Sequence, residues 1–421
     1  MTAQESLVNI LKKKGTGPTM SKSLSSEELN SLTNLMKDRN ANITTKATLL
    51  TAFLMLENTE EESKWFSHFL TIYPDNLPSE LHWLLKKTST TPFEALILKV
   101  IDHHDLSYQE MTWAIEQVLN PAIPNIQKAA FLEAERLKRE TLDENKAALN
   151  ACLQTTISTQ TDIPVLIDLS VAYDGLSRTP CVWVAVAALL ASLGYPCVLH
   201  GVDEVSPKRG INAYKILSAA GIDPLVSVSQ AITRLTTPSI GWAYIDQSQT
   251  NPALYALNQL RKDMVKRPII ATIEKLLQPI KGRETITVTS YTHPPYKDKM
   301  VQLLYLSSPS RFLLLRGVEG SIQLPTDRRA PAISWVNSTL TDDFVRPDCY
   351  ETDKYPDGPT TAAESLHWCY EGLKGNHPYA TPWISYLAHT ILTQLHLEPP
   401  TTVYQKIETA LKSGKAISQF I

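Results

Sequence analysis

The feature that most constrains this 421-residue chain is an internal repeat in its first third. Residues 24–65 and 106–147 align without a gap at an offset of 82, with ten identical pairs among 42. Each copy carries two S/T-x-x-E pairs, in which a hydroxyl and a carboxylate satisfy free amides at a helix start. Each copy is therefore predicted to form a helix, a loop, a second helix and a capped third helix. The pairs are Ser25 with Glu28, Thr59 with Glu62, Ser107 with Glu110, and Thr141 with Glu144.

The pattern changes after this helical region. Residues 153–163 are rich in Thr, Ser and Gln, which is typical of a linker. Short β-rich runs then alternate with helices, which indicates a mostly parallel sheet with helices on both faces. We predict an α/β fold with helical copies at 1–90 and 91–156 and an α/β domain at 160–421. Strands are predicted at 164–169, 195–201, 239–246, 285–291 and 311–317, and helices at 180–193, 210–220 and 251–264.

Composition excludes several classes of protein. The five cysteines form no C-x-x-C pair, which argues against a disulfide framework or a zinc module and fits a reducing compartment. The longest apolar run, Cys181 to Ala191, is too short to span a bilayer. The start of the chain has no apolar core of signal-peptide length. These features predict a soluble, cytoplasmic protein that has no membrane partner.

Five strings in order carry a resemblance to a known family. They are AYDGLSR, LGYPCVLHGV, SYTHPPY, LLLRGVEG and DGPTTAAESLHWCYEGLKG. Their order resembles the anthranilate phosphoribosyltransferase family, or glycosyltransferase family 3, and within it the YbiB-type branch. The resemblance implies a small helical domain followed by a nucleoside phosphorylase/phosphoribosyltransferase-like α/β domain. The first 90 residues look like a second copy of that helical domain.

The resemblance also shows what this chain lacks at the family's phosphoribosyl pyrophosphate site. Of the family's glycine-rich G-T-G-G-D-G loop, residues 170–175 keep only Asp174 and Gly175. The family's Asn-x-Ser-Thr segment falls on Pro180, Val182 and Trp183, and its K-H-G-N motif falls on residues 199–202, which read L-H-G-V. The family's magnesium pair falls on Ile322 and Gln323. We therefore predict a degenerate donor site and no anthranilate transfer.

Residues that keep some ligand-binding chemistry lie in the loops after the predicted strands, where parallel sheets bind ligands. No catalytic residue, metal ligand or cofactor is predicted, and Mg²⁺ is expected only if the alternative holds, a transferase with a divergent donor site. His200 contacts a ligand or is hydrogen-bonded in a turn, and both alternatives stay open. His103-His104 and Asp203-Glu204 are favoured as structural and solvent-facing pairs. The predicted ligand or phosphate contacts are Asp174, Gly175, Arg178, His200, Gly201, Lys208 and Arg316.

Positive charge is concentrated in residues 261–329, which hold 13 Lys or Arg against 6 Asp or Glu in a chain of net charge −3. We call this stretch the basic segment. The YbiB-type resemblance implies a homodimer that binds nucleic acid, single-stranded DNA or RNA, without sequence preference. The alternative is a solvated charged face. The predicted nucleic-acid contacts are Arg261, Lys262, Lys266, Arg267, Lys281, Arg283, Tyr291, Lys297 and Lys299.

Overall fold

The computed structural model describes residues 2–17 and 20–420, apart from the side chain of Asp75, and contains two compact units. The helical unit holds the residues up to Gln154 together with Ala256–Ile273, and the sheet unit holds Thr155–Tyr255 and the residues from Glu274 onward. The helices that precede the first strand are α1 (Ala3–Lys14), α2 (Ser26–Lys37), α3 (Ile43–Met55), α4 (Glu60–Asn76), α5 (His82–Lys86), α6 (Pro92–Ile101), α7 (Tyr108–Leu119), α8 (Asn125–Lys138) and α9 (Leu142–Thr155).

The predicted repeat is confirmed by the helix boundaries. Helices α2, α3 and α4 begin at residues 26, 43 and 60, and α7, α8 and α9 begin at 108, 125 and 142, so each pair keeps the offset of 82. All four predicted capping pairs form their reciprocal hydrogen bonds. The second helices of the two copies, α3 and α8, pack against each other. The helical unit is therefore built around a contact between equivalent elements.

The sheet unit contains a seven-stranded sheet whose strand order is β4-β3-β2-β6-β7-β8-β9. Its first five strands in this order pair in parallel, and its last two pair antiparallel to their neighbours. β1 and β5 form a separate parallel pair. The strands are β1 (Thr159–Gln160), β2 (Val165–Leu169), β3 (Cys197–Gly201), β4 (Trp242–Asp246), β5 (Ile280–Lys281), β6 (Glu284–Ser290), β7 (Arg311–Leu315), β8 (Ala330–Val336) and β9 (Thr339–Val345).

The five predicted strands are confirmed as β2, β3, β4, β6 and β7, and the edge hairpin β8–β9 was missed. Six of the seven residues of β9 are exposed, so its sequence lacks the apolar alternation of a half-buried strand. Asn337 and Ser338 join the two strands with φ values of 49° and 63°, as a two-residue turn with both central residues left-handed requires. This Asn-Ser pair is the feature of the sequence that could have predicted the hairpin.

Further helices of the sheet unit, together with α15 and α16, complete the described part of the chain. α10 is entirely buried and packs in the large apolar cluster that also contains Cys181 and Cys197, so these two thiols lie in the core. No helix of the described residues is both long and apolar enough to cross a bilayer. The helices are α10 (Trp183–Ser192), α11 (Ala213–Ala219), α12 (Val228–Thr236), α13 (Gln247–Thr250), α14 (Pro252–Tyr255), α15 (Asn258–Met264), α16 (Ile270–Ile273), α17 (Tyr296–Ser307), α18 (Ala362–Leu373), α19 (Ala380–Gln394), α20 (Pro400–Lys412) and α21 (Lys415–Ser418).

One predicted helix is wrong. The expected helix at 251–264 is two short helices, α14 and α15, and α15 belongs to the helical unit. There the carbonyl of Asp263 accepts a hydrogen bond of 2.8 Å from the Thr45 hydroxyl, and the Lys266 amine donates one of 3.0 Å to the Leu11 carbonyl. The helical unit therefore includes a segment that the sequence assigned to the α/β domain, because these contacts join residues more than 200 positions apart.

Candidate functional site

The carboxyl ends of β2 and β3 carry a buried polar group at the place where parallel sheets bind ligands. The hydroxyl oxygen of Tyr173 lies 2.6 Å from Nδ1 of His200, and Nε2 of His200 lies 3.1 Å from Oδ1 of Asp168. The Tyr173 hydroxyl also donates to the Glu274 carbonyl at 3.1 Å. All three side chains are at most 4% exposed. His200 therefore lies within β3 and makes buried contacts with side chains of the same unit, rather than a hydrogen bond inside a turn.

Lys275 lies at the same end of the sheet. Its amine donates a hydrogen bond of 2.7 Å to the Ser290 carbonyl, and its own carbonyl accepts one from the Ser170 hydroxyl. Burial lowers the pKa of Lys275 to about 8, against the opposing effect of Asp174 and Glu274. Lys275 is one of the 13 cations of the basic segment, but the structure buries it beside the carboxyl ends of β2 and β6.

The loop after β2 presents backbone amides to a carboxylate. The amides of Ser177 and Arg178 and the Ser177 hydroxyl donate to the Glu319 carboxylate at 2.9–3.2 Å, and the Lys208 amine lies 2.8 Å from it. Burial opposes ionisation of Glu319, but these donors outweigh it and lower the pKa of the carboxyl group. Glu319 was not among the predicted site residues. The feature of the sequence that could have indicated it is the Gly-Val-Glu-Gly string at 317–320, which begins two residues after the end of β7.

Two amides that follow in the same segment also have partners. The Cys181 amide donates to the Ser365 hydroxyl at 3.0 Å, and the Val182 amide donates to the Gln323 side-chain oxygen at 3.1 Å. The Gln323 side-chain nitrogen donates to the Pro180 carbonyl at 3.0 Å. The start of α10 is thus hydrogen-bonded to side chains of the same unit.

Ile322 and Gln323, which stand at the positions of the family's magnesium pair, do not fit a magnesium ion. Ile322 is fully buried in the apolar cluster, and the Gln323 amide is engaged with backbone on both of its polar atoms. Mg²⁺ prefers octahedral oxygen ligands, usually with one or two carboxylates. Within the described ranges, 2–17 and 20–420, no three His, Cys, Asp or Glu side chains gather closely enough to hold a metal.

The structure brings some of the predicted ligand contacts together and leaves others apart. Gly175, with φ of 67°, lies so close to the carbonyl of Ile211 that a Cβ would come within 2.4 Å of it. The Gly210 amide donates to the Asp174 carbonyl at 2.8 Å. These contacts join the loop after β2 to the segment that carries Lys208, whereas exposed Arg316 donates to the Thr292 carbonyl at 3.1 Å. The Arg178 side chain faces Asp357 at 3.6 Å, and a Cβ added to buried Gly201 would lie 3.5 Å from the ring of Tyr244.

The basic segment is not one exposed surface. Arg261, Lys266 and Tyr291 are 1%, 7% and 5% exposed, so burial removes these three from the predicted nucleic-acid contacts. Burial lowers the pKa of Lys266 to about 8. Exposed Lys262 and Arg267 belong to the helical unit, and the remaining predicted contacts, Lys281, Arg283, Lys297 and Lys299, belong to the sheet unit. Arg283 forms an exposed ion pair with Asp162 at 3.2 Å.

A smaller group of cations and aromatic rings meets at one edge of the sheet. The Arg316 amide donates to the Pro331 carbonyl, and Pro331 pairs with Phe344 in the hairpin, so the ends of β7 and β9 and the start of β8 coincide. The Lys297 ion pair with Asp342 brings the start of α17 to β9. We call this group the edge patch. It comprises Tyr296, Lys297, Lys299, Arg316, Arg328, Arg329 and Phe344.

The aromatic rings of the edge patch are accessible and lie beside cations. Tyr296 is 41% and Phe344 is 47% exposed. The Arg329 guanidinium lies 4.4 Å from the centre of the Phe344 ring, and the Lys299 amine lies 5.5 Å from that of Tyr296. Phe344 and Arg329 were not among the predicted site residues, because only the missed hairpin brings them together.

Comparisons with known proteins agree with this architecture. Residues 94–156 match the model of the glycosyl transferase family helical bundle domain. The chain is 30% identical to an uncharacterized protein of Aquifex aeolicus (strain VF5) over 53% of this chain, and it spans about two thirds (66%) of that relative's length. It is 25% identical to the uncharacterized protein YbiB of Escherichia coli (strain K12) over 61% of this chain and 79% of YbiB.

Solved structures show the same fold. The anthranilate phosphoribosyltransferase (TrpD) of Thermus thermophilus superposes with a TM-score of 0.62 at 15% identity, over 77% of this chain and 97% of that one. At such low identity the likeness establishes the fold alone. The chain therefore shares the fold of this enzyme, and its sequence relatives and the helical-bundle match make it similar to the anthranilate phosphoribosyltransferase family, glycosyltransferase family 3.

Proposed function

We propose that this protein is a nucleic-acid-binding member of the family with a degenerate donor site, and that it binds single-stranded DNA or RNA without sequence preference. The edge patch is the observation that carries the proposal. It places two exposed rings beside five cations at one edge of the sheet. Single-strand binders combine backbone-tracking positive charge with aromatic rings on which bases stack, and both parts occur here.

The charges of the edge patch are available at small cost. Lys297 and Arg328 pair with Asp342 and Asp327, and all four side chains are partly exposed. Exposed pairs of this kind contribute about 0–1 kcal/mol, so a phosphate replaces the carboxylate easily. Arg316 and Arg329 form no ion pair within the part of the chain that the structure describes.

Homodimer assembly, which the resemblance implies, stays a prediction. The face of α8 that packs on α3 is already occupied within the chain.

The test is fluorescence anisotropy of a labelled oligothymidine of about 20 nucleotides with the full chain, repeated over a series of salt concentrations. Each cation that neutralises a phosphate contributes about −0.7 to the slope of log affinity against log salt, so five contacts give roughly −3.5. The double variant Arg316→Glu, Arg329→Glu should lower both the affinity and the slope. Phe344→Ala should weaken binding by about 1–3 kcal/mol through loss of base stacking and leave the slope unchanged.

Lys12→Glu is the matched control, because it reverses an exposed charge in the helical unit and should leave binding unchanged. If no nucleic acid binds at micromolar protein and low salt, the edge patch is a solvated face and the proposal is wrong. Turnover of anthranilate with phosphoribosyl pyrophosphate and Mg²⁺ would support the transferase alternative instead.

A further inference from the structure

The loop after β2 holds an anion that belongs to the chain itself. Two consecutive amides, a hydroxyl and an ammonium group surround the Glu319 carboxylate, whose side chain is only 4% exposed. We infer that Ser177, Arg178 and Lys208 form a binding site for a small oxyanion, and that its resident ligand is the carboxylate of Glu319. This inference does not depend on nucleic-acid binding.

The donors of this site match the chemistry of an oxyanion. Charge-assisted hydrogen bonds from amides and ammonium groups are shorter and stronger than neutral ones, and consecutive amides form concave sites for anions. The Lys208 side chain is 15% exposed, and its ion pair with Glu319 spans only 2.8 Å. The Arg178 amide approaches to 2.9 Å. An external carboxylate or phosphate would use the same four donors.

The backbone around Glu319 indicates that this contact shapes its loop. Glu319 has φ of 50° and ψ of 22°, the left-handed region that residues with a Cβ rarely adopt. Its neighbours make this conformation possible. A Cβ on Gly317 would lie 2.2 Å from the Gln323 carbonyl, and one on Gly320 would lie 2.4 Å from the Thr292 hydroxyl. Strain of this kind persists only where surrounding contacts enforce it, and the four donors supply such contacts.

Two consequences follow from an internal ligand. While Glu319 is in place, acetate or inorganic phosphate has no vacant donors to bind, so neither anion should stabilise the wild-type protein specifically. Removing the carboxylate leaves the Lys208 ammonium and both amides without their acceptor. A small oxyanion should then enter the vacated site and restore part of the lost stability.

The experiment compares the thermal midpoint of the full-chain wild type with that of Glu319→Ala, in chloride, acetate and inorganic phosphate at matched ionic strength. Glu319→Ala should have a lower midpoint in chloride, and phosphate should raise it by about 2–4 °C relative to the effect on wild type. The double variant Glu319→Ala, Lys208→Met should lose this response. If Glu319→Ala does not fold in chloride, the folded fraction recovered in phosphate serves as the readout.

Two further variants separate a specific site from a general salt effect. Glu319→Gln keeps the side chain in place and should show no anion response, because the site stays filled. Glu28→Ala is the matched control, since Glu28 also accepts a backbone amide and pairs with a lysine, Lys13, but in an exposed helix cap. An equal anion response in Glu28→Ala or in wild type would overturn the inference. So would a Glu319→Ala protein that folds and responds to neither anion.

Discussion

The two helical copies use the same framework but differ in how each third helix is held. In the first copy, Glu62 accepts the Leu24 amide at 3.0 Å, and in the second, Glu144 accepts the Leu106 amide at 2.8 Å. The lysines that neutralise these buried carboxylates come from different places. Lys14 reaches Glu62 from α1, whereas Lys138 reaches Glu144 from the last turn of α8. Both copies thus contain the same hydrogen bond between a backbone amide and a buried carboxylate, but the lysine that pairs with the carboxylate comes from a different helix in each copy.

The copies also differ at one equivalent core position. Phe53 of the first copy stacks on Phe66 at 5.4 Å between ring centres. The residue 82 positions later is Glu135, which is fully buried, lies 3.7 Å from Lys138 and makes no side-chain hydrogen bond among the described residues. Burial and the neighbouring Glu144 raise the pKa of Glu135 well above its ordinary value. An aromatic core and a buried acid therefore occupy equivalent places in one framework.

The largest expected effect comes from the two shared carboxylates. Glu62→Gln removes the negative charge that pairs with the Lys14 ammonium, which is 2% exposed and otherwise contacts the Glu57 carbonyl at 2.9 Å and the Phe53 ring at 5.2 Å, and should cost about 3–5 kcal/mol. Glu144→Gln should cost less, about 1–3 kcal/mol, because Lys138 keeps Asp105 at 3.0 Å and Glu135. Urea unfolding of both variants measures the difference. Equal losses would mean that the source of the lysine has no energetic consequence.

The second expected effect is a pH dependence confined to the second copy. Because the folded-state pKa of Glu135 is raised, the folded protein keeps a proton that the unfolded chain releases above about pH 4.5. The free energy of unfolding should therefore fall as pH rises from that value through the raised pKa, by about 1.4 kcal/mol for each pH unit of this window. Glu135→Gln should remove this fall, as measured by urea unfolding at several pH values.

Glu116→Gln is the control for this effect, because it makes the same change at an exposed position of α7 in the same copy. The advantage of Glu135→Gln over wild type should grow with pH. An advantage that stays constant with pH would show that Glu135 does not titrate in this range.

The smallest expected effect tests what the copies share. Ser25→Ala and Ser107→Ala each remove a capping hydroxyl that accepts an amide at 3.2 and 3.3 Å, at the start of α2 and α7. Each should cost about 1 kcal/mol in thermal or chemical unfolding, because loss of an N-cap leaves a helix-end amide without an acceptor. Clearly unequal losses would show that tertiary surroundings, rather than the local cap, set the stability of these helix starts.

Local chemistry was predictable because it depends on few neighbouring residues. The caps at Ser25, Thr59, Ser107 and Thr141 connect residues three positions apart, and the sequence placed all four. The buried strands of the parallel sheet were also found, since a strand covered on both faces reads as an apolar run. The exposed strand β9 gives no such run, and it was missed.

The candidate sites depend on contacts between distant segments, which no local pattern contains. Glu319 meets Ser177 and Lys208 from more than 100 residues away, and Arg329 meets Phe344 only through the β8–β9 hairpin. The same limit applies to the basic segment, where charge density in sequence did not indicate which cations are buried.

The duplicated helices, their caps and the parallel core follow from the amino-acid sequence alone, because capping and apolar periodicity are properties of neighbouring residues. The burial of Arg261, Lys266 and Tyr291 and the exposure of Arg316 and Arg329 at one sheet edge are visible only in the folded chain. The same is true of the hydrogen bonds between the Glu319 carboxylate and the loop after β2. The physical reason is that burial and electrostatic pairing depend on distances in space, which the packing within each unit and the pairing of strands establish.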